Sequence, residues 1–279
     1  MAESSPALNG PEFFPNIFRR TLCRFLERMS CMLLRETMTA QGNRLFRKRG
    51  FYASILGTPV LLLAFHQYWH SGGDHILGGL GEAACFAVSL AGLAVRAYTV
   101  GCRARRTSGR NGQKGQVADA LNTTGMYSVT RNPLYLANFL VALGIIMMFS
   151  IWWLTVIYIM AFWLHYERII LAEEDFLMNK FGETYLAWAG ITPVFIPSVK
   201  NWQPPENAFS WRIALKSEYQ TLTMTVTAFA FLQIVSHVRP HYTFAAVRSW
   251  VYLLMMTMAF FMAVRFIRKK TTFLSVPGR

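Results

Sequence analysis

The chain is short of cysteine, of acidic residues and of nucleotide-binding signatures. Its four cysteines, Cys23, Cys31, Cys85 and Cys102, form no CxxC pair and have no histidine at zinc spacing. That argues against a disulfide framework and against a cysteine-based metal site. There is no GxGxxG, and the basic, glycine-rich stretch Gly101–Gln116 lacks the GxxxxGK(S/T) order of a phosphate-binding loop. Neither a Rossmann domain nor a P-loop is supported. Asp and Glu number 14 against 28 Lys and Arg, a formal net charge of +14. A basic nucleic-acid-binding protein gathers such charge on a soluble domain, and no such domain is visible here. The first long apolar run begins only near Phe51, so nothing reads as a cleaved signal peptide.

Apolar residues are what the chain has in excess. They make up 53% of its 279 residues, at a mean hydropathy of +0.28, and they come in blocks that approach the length needed to cross about 30 Å of hydrocarbon. Six blocks are expected to span a membrane: Phe51–Tyr68, Ile76–Val100, Leu134–Phe149, Ile151–His165, Leu222–His237 and Ala246–Ile267. The expected fold class is therefore an all-α, polytopic membrane protein with about six transmembrane helices. Of the 28 Lys and Arg, all but Arg96, Arg239 and Arg248 fall before Phe51, in Gly101–Arg131, in Tyr166–Lys216 or after Val264. Cytoplasmic loops retain basic residues, so both termini and the face carrying Arg131 are expected in the cytosol, at the inner membrane of a bacterium or the endoplasmic reticulum of a eukaryote.

Residues 1 to about 10 are small and polar. From Phe13 to Leu34, apolar residues recur three or four apart, with Arg19, Arg20, Arg24, Glu27 and Arg28 on the other face. This spacing predicts an amphipathic helix, lying in the interface plane or packed on the protein's own surface. Three segments result: 1–49 with the disordered start and interfacial helix, 50–200 as a membrane core, and 201–279 as a connection and two further spans. The Gly101–Gln116 loop is either a lid that closes over a ligand or a solvated linker.

The stretch Thr123–Pro197 carries the chemistry. Ionisable residues near a bilayer are costly and usually functional. Arg131 lies at one mouth of the expected hairpin, and Glu167, Arg168, Glu173 and Glu174 lie at the other. Thr130-Arg131-Asn132-Pro133 reads as a helix start whose N–H groups suit an anion. On the exit helix, which should run to about Phe181 and stop at Gly182, Glu167 and Glu174 share a face, with Glu173 about 100° away. Arg168 has no acid one turn away on its own helix. It either snorkels to lipid phosphate or offers its charge to a ligand.

Three blocks in this order resemble the isoprenylcysteine carboxyl methyltransferase family of integral-membrane enzymes, which includes phospholipid N-methyltransferases. They are Gly125-x-Tyr127-x3-Arg131-x-Pro133-x-Tyr135, then Glu173-Glu174 with Leu177 and Phe181-Gly182-x-x-Tyr185, then the Pro193/Pro197 pair. The resemblance implies S-adenosylmethionine as cofactor and a lipid or lipidated acceptor entering from the bilayer. It assigns Leu121, Asn122, Tyr127, Asn132, Pro133, Leu134 and Tyr135 to the cofactor, with Glu173 and Glu174 at its polar end. Asn132 stands where the family commonly has His. An amide hydrogen-bonds but cannot act as an acid–base group near neutral pH.

Methyl transfer needs chiefly alignment and exclusion of water. An anionic acceptor needs cations to hold it, for which Arg131 and Arg168 are the candidates; an amine needs a base, Glu167 or Glu174. The missing histidine and the unpaired Arg168 favour O-methylation of a carboxylate or phosphate, with phospholipid N-methylation as the alternative. A nicotinamide-dependent, sterol-type reductase would need extra basic contacts, and only Arg103–Lys114 offers them. The division of basic residues predicts that cysteines placed near Gly73 and Tyr242 react with an impermeant reagent from outside and that those near Gly112 and Gln203 do not; external labelling at Gly112 would overturn this topology.

Overall fold

The computed structural model describes residues 34–47, 49–70, 78–103, 110–112, 115–237 and 244–276. In chain order the helices are α1 (Leu34–Arg47), α2 (Arg49–His70), α3 (Gly78–Cys102), α4 (Met126–Val129), α5 (Pro133–Met147), α6 (Trp152–Phe181), α7 (Glu183–Ile191), α8 (Trp211–His237) and α9 (Phe244–Lys270). A 3-10 turn, Val199–Asn201, lies between α7 and α8. The expected amphipathic helix Phe13–Leu34 lies outside the described residues, apart from Leu34. One small departure from an all-α chain is an antiparallel ribbon, β1 (Arg110–Gly112) against β2 (Gly115–Val117), inside the loop expected to be irregular.

Each of the six expected spans falls on a helix. Among the described residues, three helical stretches are long and apolar enough to cross a membrane: Gly79–Cys102, Trp152–Phe181 and Val247–Lys270; Pro133–Met147 is a shorter apolar helix. The expected span on α8 falls short because Gln220, Thr221, Thr223, Thr225, Thr227 and Gln233 dilute its apolar run, and Arg212, Lys216 and Glu218 occupy its earlier turns. The 30 residues of α6 reach about 45 Å at 1.5 Å per residue, more than a bilayer core of about 30 Å. It is thus longer than a bilayer core requires, and its charged residues Glu167, Arg168, Glu173, Glu174 and Asp175 all fall in its second half. Gly182 ends α6 at φ 51°, a backbone conformation glycine adopts without a Cβ penalty, and its N–H closes on Met178 O.

Helices α5 and α6 form the expected hairpin, turned at Ser150 (φ 56°). Its tip is buried. Met148, Phe149, Ile151 and Leu154 pack with Tyr68 of α2, Cys85 of α3 and Phe229 and Leu232 of α8. Helices α3 and α5 pack along an extensive contact, where Ser89, Gly92, Ala137 and Gly144 let the backbones approach, a small-residue contact typical of membrane helices. Ser89 Oγ donates to Val141 O at 2.8 Å. A Cβ added at Gly144 would overlap Cys85 O and Ser89 Oγ. On the other side of the hairpin, α1 crosses α6 at Gly42, against the backbone of Arg168. Gly144→Leu is expected to lower unfolding free energy by about 1–3 kcal/mol or more through overpacking. A thermal melt in detergent checks this; an unchanged midpoint would mean that α3 and α5 do not approach so closely.

Candidate active site

The site is assembled by hydrogen bonds between segments far apart in sequence. The turn before α5 is clamped to Thr192–Ser198, which follows α7. Arg131 N donates to Pro193 O at 2.8 Å, and Ser198 N donates to Val129 O at 2.9 Å. The fully buried Thr130 hydroxyl lies 3.2 Å from both Val194 O and Phe195 O. Asn132 Nδ2 donates to Val194 O at 3.0 Å. A second tie holds the turn before α4, where Gly125 N donates to Gln203 O at 2.9 Å and Gln203 N donates to Ser128 Oγ at 3.0 Å. Gly125 sits at φ 60°, again a conformation suited to glycine. Trp188 Nε1 on α7 donates to Tyr127 O at 3.1 Å. Where the clamp is buried, at Thr130, Asn132 and Thr192, these bonds satisfy polar groups that water cannot reach.

The clamp delivers Arg131 and α5 to the charged end of α6. Arg131 Nη1 lies 2.8 Å from Glu174 Oε1, and Tyr135 Oη donates to Glu173 Oε2 at 2.9 Å. The Tyr135 ring packs on Tyr166 of α6, 4.8 Å between centroids, and Tyr166 stacks on Phe162 at 4.2 Å. Arg131 is also hydrogen-bonded to the buried Tyr185 of α7. Its Nε is buried without a hydrogen-bond partner. A buried donor in that state costs free energy unless something meets it.

Two phenols frame these charges. Burial pushes Tyr127 up to about 12, helped by Glu173 and opposed by Arg103. Burial likewise pushes Tyr185 up to about 12, helped by Glu174, while its bond to Arg131 pulls the other way. Both are neutral donors at pH 7. Because the folded values lie above the ordinary 10, the stability they contribute is present below pH 10 and is lost as pH rises through about 12.

The residues singled out in the sequence divide into those that meet and those that do not. Arg131, Tyr135, Glu173 and Glu174 form one cluster. Glu167 lies half-buried two turns back along α6, on the Glu174 face. Asn132 is buried, and its amide is committed to the Val194 carbonyl rather than facing the cluster; Pro133 is buried beside it at the first turn of α5. Leu134 is half-buried on α5, and Leu121 and Asn122 are half-buried in the extended approach to Gly125. Arg168 is not brought into the cluster. Its Nε donates to Gln41 of α1 at 3.0 Å and its Nη1 donates to Leu164 O at 2.6 Å. Arg168 and Ala172 mark the side of α6 covered by α1, away from Glu173 by helical spacing. Its missing acidic neighbour is supplied by an amide from another helix, which spacing along α6 does not reveal. Most of the Arg103–Lys114 loop lies outside the described residues.

Thr130, Tyr185 and Trp188 are the residues that sequence reasoning missed. Tyr185 stands within the second motif block, but its contact with Arg131 is visible only once α7 folds back. Among the described residues no group of three or more His, Cys, Asp or Glu could hold a metal ion.

The profile of the phospholipid methyltransferase family matches residues 87–184. This segment, running from α3 through the hairpin to the end of α6, is similar to that family of membrane methyltransferases over about a third of the chain. The chain is 31% identical over 121 residues to the cobalt-zinc-cadmium resistance protein CzcN of Cupriavidus metallidurans, covering 41% of this chain and 56% of that protein. It is 37% identical over 83 residues to the nickel-cobalt-cadmium resistance protein NccN of Alcaligenes xylosoxydans xylosoxydans, covering 30% of this chain and 38% of that one. The chain thus spans about half or less of the length of these relatives. No solved structure matches.

Thr130→Val removes the only proton shared between the Val194 and Phe195 carbonyls and is expected to cost about 1–3 kcal/mol, whereas Thr130→Ser keeps it. Chemical denaturation of the two variants checks this, and equal stability of both would exclude the clamp.

Proposed function

We propose that the chain is an S-adenosylmethionine-dependent methyltransferase acting on a lipid or lipidated acceptor that enters from the bilayer, with the Arg131–Glu174 cluster on the cytosolic face. The observation that carries this reading is the pairing of Glu173 and Glu174 with Tyr135 and Arg131 at the end of a family-matched membrane hairpin. The residues fit the cofactor. Glu173 and Glu174 would hold its ammonium group, the unpartnered Nε of Arg131 would meet its carboxylate, and the faces of Tyr135 and Tyr166 suit a sulfonium by cation–π attraction. When bound, the cofactor supplies a methyl group on a positively charged sulfur. The protein's part is to hold the acceptor in line and keep water out. The six-span, both-termini-inside arrangement belongs to this proposal.

The acceptor class turns on Arg168. O-methylation of an anionic group requires Arg131 and Arg168 to be available to hold it. With Arg168 bound to Gln41 and Arg131 beside Glu174, carboxylates outnumber uncommitted cations, which favours an amine acceptor with Glu167 or Glu174 taking its proton. The O-methyl reading keeps one supporting observation, the buried Nε of Arg131, which an acceptor oxygen could meet instead.

The purified protein, incubated with methyl-labelled S-adenosylmethionine and total membrane lipid or prenyl-cysteine, should label a lipid-soluble product identifiable by mass. For an amine acceptor, Arg168→Lys leaves turnover within about threefold, while Glu167→Gln or Glu174→Gln lowers it at least tenfold, about 1.4 kcal/mol in the barrier. The reverse pattern would restore the anionic acceptor. No labelled lipid with any acceptor would remove the proposal.

A further inference from the structure

Outside this cluster, the ion pair of Arg96 and Glu218 joins two of the membrane helices. Arg96 of α3 donates from Nε and Nη2 to the two carboxylate oxygens of Glu218 on α8, at 2.6 and 3.2 Å, and from Nη1 to Asn138 Oδ1 on α5. Glu218 is 6% exposed. A guanidinium set among membrane helices is tolerated only when it is paired and its donors are met, and here all three of its nitrogens donate. Glu218 lies outside the family-matched segment, whereas Arg96 and Asn138 lie inside it. The C-terminal helices are thus locked onto the core by charge, and the lock has a third arm.

That third arm falls on a helix with little else to fix its rotation. In α5, PLYLANFLVALGIIM, the only polar side chains are Tyr135 and Asn138. A helix apolar all round has no hydrophobic face to choose. The contacts at Ala137, Val141 and Gly144 set how closely α5 approaches α3, but apolar packing permits small rotations that a hydrogen bond does not. Fixing register is the best-attested use of a polar residue set among apolar helix contacts, and Asn138 is half-buried in such a place. Asn138 stands three residues beyond Tyr135, about 60° round the helix. Rotation of α5 therefore moves both side chains together, and the Tyr135 hydroxyl must reach Glu173 at 2.9 Å.

We propose that Arg96, held by Glu218, is a positioning residue that grips Asn138 and so fixes the rotation of α5 that places the Tyr135 hydroxyl on Glu173. This rests on the reading of Glu173 as part of the S-adenosylmethionine site. Calorimetric titration of S-adenosylmethionine into the full chain in lipid nanodiscs, with thermal midpoints recorded alongside, tests it. Asn138→Leu should weaken binding about tenfold, about 1.4 kcal/mol, and Asn138→Asp, which keeps the acceptor oxygen, should stay within about threefold of the native chain. Because Asn138 acts through Tyr135, Asn138→Leu added to Tyr135→Phe should cost nothing beyond Tyr135→Phe alone. If Asn138→Leu does not fold, the double variant Arg96→Met with Glu218→Met carries the test. It removes both charges together and frees Asn138, and the same tenfold loss is expected. Native affinity in Asn138→Leu or in that double variant, or losses that multiply with Tyr135→Phe, would overturn the inference. A native chain that does not bind the cofactor would remove the site reading and this inference with it.

Discussion

The clamp between Thr130–Asn132 and Pro193–Phe195 is the constraint on which the rest of the site depends. Charged side chains at the edge of a bilayer are stable only with partners in reach, and neither arm of the hairpin supplies enough of them alone. Arg131 reaches Glu174 because its own backbone N–H is fixed to Pro193 O. The clamp also returns the chain after α7, so that Tyr185 closes over the guanidinium and Trp188 holds the Tyr127 carbonyl. Remove the clamp, and Arg131, Glu173 and Glu174 become three separate charges beside a membrane. With it, they form one electrostatic unit with a buried donor left to spend.

This assignment explains why Asn132 works where an imidazole would be expected. Its side chain is a structural donor to Val194 O, a task that an amide performs as well as a ring N–H. Tyr127 and Tyr185 are phenols that are protonated near pH 7 in any case, and burial raises them further, to about 12.

Much of the helical fold was legible because apolar run length is a local, additive signal. All six expected spans lie on helices, and the stop of α6 at Gly182 follows from one residue type. The meeting of Arg131 with the Glu173–Glu174 pair was also legible, since a tight hairpin joins its own two mouths. What could not be read were contacts made by elements that return from a distance. Gln41 of α1 claims Arg168, Val194 claims Asn132, and Glu218 of α8 claims Arg96. Spacing along one helix says that a charge lacks a local partner; it does not say which other helix provides one. Arg168 is the clearest instance, and it changed the balance between acceptor classes.

The membrane part of the chain is thus one bundle in which α8 and α9 are structural members rather than appendages, with α8 fastened to α3 at Arg96 and again where Gln233 donates to Glu82. The central claim is that the cofactor sits where α4, the start of α5 and the charged end of α6 converge. The most direct measurement is ultraviolet cross-linking of methyl-labelled S-adenosylmethionine to the purified protein, followed by mapping of the labelled peptides. The account predicts label within 121–135 or 166–185, competed away by S-adenosylhomocysteine. Label confined to α8, α9 or the ribbon at Arg110–Val117, or label that the competitor does not displace, would contradict it.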